Sequence, residues 1–244
     1  MTHVGRRQGI LAIDTATARV VIASGTPGGD IDGLASWVAG YRHGETLLPT
    51  LERYLSEHDL LRSHLTGIVV GTGPGAFTGL RVGIATAKGL AYGLAIPLVG
   101  VPTAAALLAA ADAIGASAGG PGPGPGTTFR PVLLQPAGPN DRVLVRPSGA
   151  ARLLPVGEEP DLEPDETLIA VDLEGRAPAE AIARGAAAWE GLGAALIRLG
   201  AARLAALGAH DRRGELATVV PEYVTLPRGV AASSGEVAWS RDPR

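Results

Sequence analysis

The chain has 244 residues, no cysteine, five histidines and a formal charge of -3 from 21 basic and 24 acidic residues. That length holds one large domain or two small ones with a sizeable core. The missing cysteine excludes a disulfide scaffold, a thiolate metal site, an iron–sulfur cluster and a cysteine nucleophile, and the charge balance leaves no nucleic-acid-binding footprint at the level of the whole chain.

At the start, Arg6 and Arg7 precede an apolar run that reaches Asp14 within a few residues, too short for a signal-peptide core. Gly9 to Thr15 reads as a buried strand, Arg19 to Ser24 as a second, and Gly33 to Ala39 as a third, joined by short turns into an antiparallel meander. Thr46 is the expected cap of a helix on which Leu47, Leu48, Leu51, Tyr54 and Leu55 follow at helical spacing, with Pro49 in its first turn. Next come a strand at Leu65–Val70, the loop Gly71–Gly75, a helix at about Phe77–Tyr92, a strand at Pro97–Val101 and an alanine-rich helix at Thr103–Ala113. Gly89 to Ala111 carries no charge and has the length of a membrane span, but Pro97 and Pro102 break it into helix, strand and helix. It reads as the core of a cytoplasmic protein.

Residues 115–128 (GASAGGPGPGPGTT) are a Pro/Gly-rich linker or exposed loop. Beyond it, strands are expected at Val132–Leu134, Arg142–Arg146, Leu153–Val156 and Thr167–Val171, then helices at Ala179–Ala188 and Leu192–Leu207. The second half reads as a degraded echo of mixed α/β structure, without an internal sequence repeat. The polar end, 228–244, reads as a disordered tail.

The most informative segment is the strand leading into Gly71-Thr72-Gly73-Pro74-Gly75 and a helix opening near Phe77. Glycines let backbone N–H groups approach an anion, and a helix N-terminus adds partial positive charge. The P-loop pattern fails, because Gly79 is followed by Leu80 and Arg81. Gly71, Gly73 and Ala76 meet the dinucleotide pattern formally, but the acid expected at the end of the next strand is missing. A tight strand-to-helix turn that only permits close packing is an equal reading. Asp14-Thr15 before a turn is similar to the phosphate-binding hairpin of actin-like ATPases; an Asp that merely fixes the turn is the alternative. No histidine pair has metal-ligand spacing, no G-x-S-x-G elbow supports a serine hydrolase, and Glu158 to Asp165 reads as a solvated acidic loop.

Four segments occur in one order: ILAIDTAT, HGETLLPTLERYL, GTGPGAFTGLRVGIATAKGLAYGLAIPLVGVPT and PEYVTL. Together they resemble the TsaB (YeaZ) family of bacterial tRNA threonylcarbamoyladenosine synthesis, most strongly from Ile10 to about Leu107. The resemblance implies an α/β, actin-like fold of the sugar kinase/Hsp70/actin, ribonuclease H-like class. It implies two subdomains, each a mixed sheet flanked by helices, at 1–103 and 104–227. It also implies a non-catalytic subunit that pairs with a homologous catalytic TsaD and, with the ATPase TsaE, serves transfer of threonylcarbamoyl to adenosine next to the tRNA anticodon.

The catalytic relative carries a metal-binding H-x-x-x-H just after the strand matching Val99–Val101, and Thr103 and Leu107 stand at those positions here. The resemblance thus implies no catalytic residue, no metal and no required cofactor. It leaves a vestigial phosphate site at Asp14, Thr15, Gly71, Gly73, Gly75 and Thr78, compatible with weak ATP or ADP binding. It places the pairing surface on the two first-subdomain helices, at Thr46, Leu47, Thr50, Gly79, Gly83, Ala87 and Tyr92, a face that also suits a homodimer. The chain departs from the family at Gln135–Asp141, where an Asp-Ala-Arg-like strand and turn is usual, and at Thr225, where a basic residue often stands. An independent actin-like ATP-dependent enzyme, such as a small-molecule kinase, is the alternative, with Asp172-Leu-Glu-Gly175 as a candidate second phosphate motif.

Overall fold

The computed structural model describes residues 8–40, 42–115, 129–138, 140–207 and 216–224. Most of the Pro/Gly-rich linker, Thr225 and the polar tail lie outside these residues.

Three strands open the chain: β1 (Gly9–Asp14), β2 (Arg19–Gly25) and β3 (Ile31–Val38). They are joined in antiparallel register, Ile13 opposite Ile22 and Ile22 opposite Ala35. Helix α1 (His43–Glu57) and a short 3-10 turn (Arg62–His64) lead to β4 (Leu65–Gly71), which pairs parallel with β1. Helix α2 (Phe77–Leu94) crosses back to β5 (Leu98–Val101), parallel to β4. The order of this first sheet is β3-β2-β1-β4-β5. Helix α3 (Thr103–Gly115) then leads towards a second sheet of β6 (Arg130–Pro136), β7 (Arg142–Val145), β8 (Ala151–Leu154) and β9 (Glu166–Ala170), in the order β8-β7-β6-β9. Helices α4 (Ala179–Glu190) and α5 (Leu192–Ala206) follow.

The expected elements are all present, with ends that differ by a few residues. The start of α1 is the instructive difference. The helix begins at His43, so Thr46 is not its cap and Pro49 lies inside it. His43 is buried with its ring Nε2 against the Thr17 carbonyl at 3.2 Å, which draws the preceding residues into the helix. Thr46 donates instead to the Arg42 carbonyl at 3.0 Å and accepts from Trp37 Nε1 at 3.2 Å.

Strands β1, β2, β4 and β5 are buried on both faces and read as continuous apolar runs, whereas the edge strand β3 stays largely open. Leu11, Ile13, Val20, Ile22, Ile68 and Val70 pack beneath α1 and α2. Ile10, Ala12, Val21, Ala23 and Val69 turn the other way, on to α3 and α5. The last of the described helices thus covers the first sheet. The same core takes in Leu133, Val143 and Ile169 of the second sheet, so one apolar cluster joins the two lobes. A smaller cluster at Val132, Leu134, Leu144 and Leu168 fills the far face of the second sheet.

The sheets also repeat a plan. In each, the first strand lies between an antiparallel neighbour and a parallel one, and a third strand extends the antiparallel side. Among the described residues the second copy lacks the helix between its third and fourth strands and has no counterpart of β5. This duplication of topology, without a sequence repeat, is the actin-like α/β architecture.

Candidate functional site

The carboxyl ends of parallel strands are the usual place for a site in such sheets. Here β1 ends at Asp14, β4 at Gly71, and β5 leads directly into Thr103 at the start of α3. The three ends converge. Thr103 Oγ1 donates to Asp14 Oδ2 at 2.6 Å and accepts from the Gly73 N–H at 3.1 Å. The Ala16 N–H donates to Asp14 Oδ1 at 2.9 Å. Asp14 and Thr103 are fully buried, and a Cβ on Gly71 would overlap the Asp14 carboxylate. Burial pushes the Asp14 carboxyl up from 3.8 to about 6, against the two hydrogen bonds, with the nearby charge of Asp172 adding to the rise.

Thr15 is sealed as well: its hydroxyl donates to the Gly79 carbonyl at 2.7 Å. The Ala76 N–H is taken by the Ala16 carbonyl at 2.7 Å, and a Cβ on Gly75 would strike that same carbonyl. The first turn and the glycine loop therefore close on each other. Glycine is required at 71 and 75 because two chain segments meet there, which was the packing reading of the loop.

Between the lobes lies a cleft of about 780 Å³. Of the six residues expected to form a phosphate site, Gly75 alone lines it; Asp14, Thr15, Gly71 and Gly73 are buried beneath, and Thr78 is exposed on the first turn of α2. Three bonds tie the cleft walls together. The Ala18 N–H donates to Asp172 Oδ2 at 2.6 Å, Gln135 Nε2 to the Pro74 carbonyl at 2.7 Å, and Trp189 Nε1 to Thr17 Oγ1 at 3.2 Å. Asp172 has φ +56, and its carboxyl is raised by burial despite the Ala18 bond.

The C-terminal PEYV completes the wall, a role that spacing in the sequence gave no means of finding. Thr72 Oγ1 donates to Glu222 Oε1 at 2.6 Å, and the Glu222 N–H donates to the Thr72 carbonyl at 2.8 Å. Tyr223 stacks near Phe77 at 5.1 Å and accepts from Arg81 Nε at 3.0 Å. These partners are about 150 residues apart in the chain, so no local pattern joins them.

The residues expected on the pairing surface divide by face. Leu47, Gly79, Gly83 and Ala87 are buried, Thr46 and Thr50 half-buried, and Tyr92 is 71% exposed. Gly79 and Gly83 let α2 settle on to Thr15; a Cβ on either would overlap that residue. The small residues therefore pack the helix on its own sheet. The open side of α2 carries Arg81, Ala85, Gly89 and Tyr92, and that of α1 carries Leu48, Glu52 and Arg53.

Leu107, at the position of the relative's second ligand, is fully buried in apolar surroundings. Among the described residues no group of three or more His, Cys, Asp or Glu is placed to hold a metal ion. No described helix is long and apolar enough to cross a membrane.

Comparison with known proteins agrees with this architecture. The family model for TsaD, tRNA N6-adenosine threonylcarbamoyltransferase, matches residues 30–121, less than half of the chain. The tRNA threonylcarbamoyladenosine biosynthesis protein TsaB of Escherichia coli is 35% identical over 97 residues, covering 38% of this chain and 40% of the relative. A tRNA N6-adenosine threonylcarbamoyltransferase of Geotalea daltonii is 47% identical over 72 residues, covering 30% of this chain and 21% of the relative. The chain thus matches less than half the length of these curated relatives. The solved structure of YeaZ from Pseudomonas aeruginosa shares the fold with a TM-score of 0.60 and 22% identity, covering 89% of this chain and all of that one.

Proposed function

We propose that this chain, a TsaB/YeaZ-type protein in sequence and in fold, is a non-catalytic subunit of tRNA threonylcarbamoyladenosine synthesis. In this reading it pairs with a TsaD-like catalytic subunit in the cytoplasm and activates it. A TsaE-like ATPase and the tRNA are reached through that complex. One observation carries the reading. At the positions of the relative's two metal ligands stand Thr103, whose hydroxyl is spent on Asp14 and Gly73, and Leu107, which is core. Neither offers an imidazole, and the carboxylate nearest to them is sealed beneath the loop.

A subunit with this role acts by its surface. The open side of α2 offers Ala85 and Gly89, where short side chains allow a partner helix to approach closely, and Tyr92, whose ring adds apolar area. Co-purification with a TsaD-like partner tests this. Gly89→Trp is expected to abolish the complex while leaving the isolated chain folded, because a Cβ at Gly89 meets nothing within 4 Å. Retention of the complex would remove this face from consideration. Threonylcarbamoyladenosine made by the purified chain alone, from the adenylate and tRNA, would overturn the non-catalytic role. The kinase alternative is the weaker reading, because Asp14 and Thr15 do not line the cleft where a phosphate would sit.

A further inference from the structure

The interlobe cleft has a chemistry of its own, independent of the pairing role. Its volume of about 780 Å³ suits a small organic molecule. No Arg, Lys or His is among the described residues that line it, whereas Asp141 and Asp172 both do. Among the described lining residues the positive feature is the start of α2, worth about half a charge, against two carboxylates. Arg19 and His43 lie close enough to act on the Asp172 carboxylate, but both are tied to other groups, His43 to the Thr17 carbonyl. Arg81 lies over the Phe77 ring at 3.8 Å and donates to Tyr223, and Arg19 stacks on Trp189 at 4.2 Å; neither lines the cleft.

A second observation points the same way. Gln135 is 3% exposed and lines the cleft. Its Nε2 must face the Pro74 carbonyl, since only the nitrogen can donate, and this turns Oε1 away. Among the described residues Oε1 has no hydrogen-bond partner, and it keeps some contact with solvent. It is an acceptor left open from a buried side chain. Asp172 likewise uses only Oδ2, on Ala18. The cleft therefore presents unused acceptors from Gln135, Asp141 and Asp172. Beside them, Phe77 and Tyr223 form an aromatic wall.

We propose that the interlobe cleft binds a small organic cation, with its ammonium or guanidinium nitrogen on Asp141, Asp172 and Gln135 Oε1 and its alkyl part along Phe77 and Tyr223. A donor-only head complements an acceptor-only wall, and an aromatic wall favours a cation over an anion. A nucleoside polyphosphate would bring several negative charges to the same surface with no basic side chain to meet them. A bare metal ion would leave most of the volume empty.

Calorimetric titration of the intact chain with agmatine at physiological ionic strength tests this, with spermidine, ATP and Mg²⁺ as parallel probes. Saturable one-site agmatine binding is expected, weakened at least about tenfold in Asp141→Asn and in Asp172→Asn. Asn at 172 keeps an acceptor for Ala18 and removes only the charge. Asp112→Asn, on the exposed side of α3, is expected to bind as the parent does. Should the Asp172 variant unfold, Asp141→Asn alone decides, since its side chain makes no hydrogen bond within the described fold. The proposal is overturned if agmatine does not saturate, if the Asp141 variant binds it equally, or if ATP or Mg²⁺ alone displaces it.

Discussion

Asp14 is the residue on which the first lobe turns, and its chemistry is set by depth. Folded, it keeps its proton up to about pH 6; at its ordinary value it would lose it near 3.8. Between those values the folded chain binds more protons than the unfolded one, so this carboxyl makes stability fall as pH rises through the window and adds no further slope above it. A shift of this size corresponds to about 3 kcal/mol at most. Asp14→Asn removes the titration while keeping the shape. The difference in urea midpoint between parent and variant is expected to move in favour of the variant from pH 4 to pH 7. A constant difference would show that the charge is not what burial penalises. That an Asp stands at the end of the first strand was legible in the sequence; that its partner is Thr103, 89 residues on, was not. Thr103 was notable only for the imidazole it is not.

At the scale of the element, α2 separates two kinds of small residue that look alike in the sequence. Gly83 faces inward on to Thr15, and Gly89 faces open space. Gly83→Ala is therefore expected to cost about 1–3 kcal/mol by overpacking. Gly89→Ala is expected to gain about 0.5–1 kcal/mol from helix propensity alone. Thermal unfolding of the two variants checks the pair: the melting temperature should fall in the first and rise in the second. If both rise, the inner face of α2 is not packed as described. The strand and glycine loop before it pointed to a helix opening near Phe77, but its Gly and Ala positions carry too little hydropathy contrast to say which side is buried. The start of α1 went unread for a similar reason: a buried His43 held by one backbone carbonyl leaves no capping signature.

For the whole molecule, chain order and packing order differ. Helix α5 is the last of the described helices, yet it covers one face of the first sheet, where Gly200 lets it settle on Val69. A fragment ending at residue 103 would leave Ile10, Ala12, Val21 and Val69 without that cover. We expect such a fragment to show no cooperative urea transition by circular dichroism, whereas the full chain does. A cooperative transition in the fragment would mean that α1 and α2 suffice to hold the sheet. The cleft is likewise a property of the assembled pair of lobes. Ala18 meets Asp172, and Thr17 meets Trp189, only when both sheets are in place.

The amino-acid sequence by itself determined the class and order of the elements, the strand-to-helix turn at the glycine loop, and the absence of imidazole at positions 103 and 107. These depend on residues near one another in the chain, where periodicity and turn chemistry act. Tertiary structure alone decided that the first turn is sealed, that α2 presents Gly89 rather than Gly83 to solvent, and that the cleft is lined by acceptors. Each of these depends on groups brought together from distant segments, whose burial and charge are set by what packs against them.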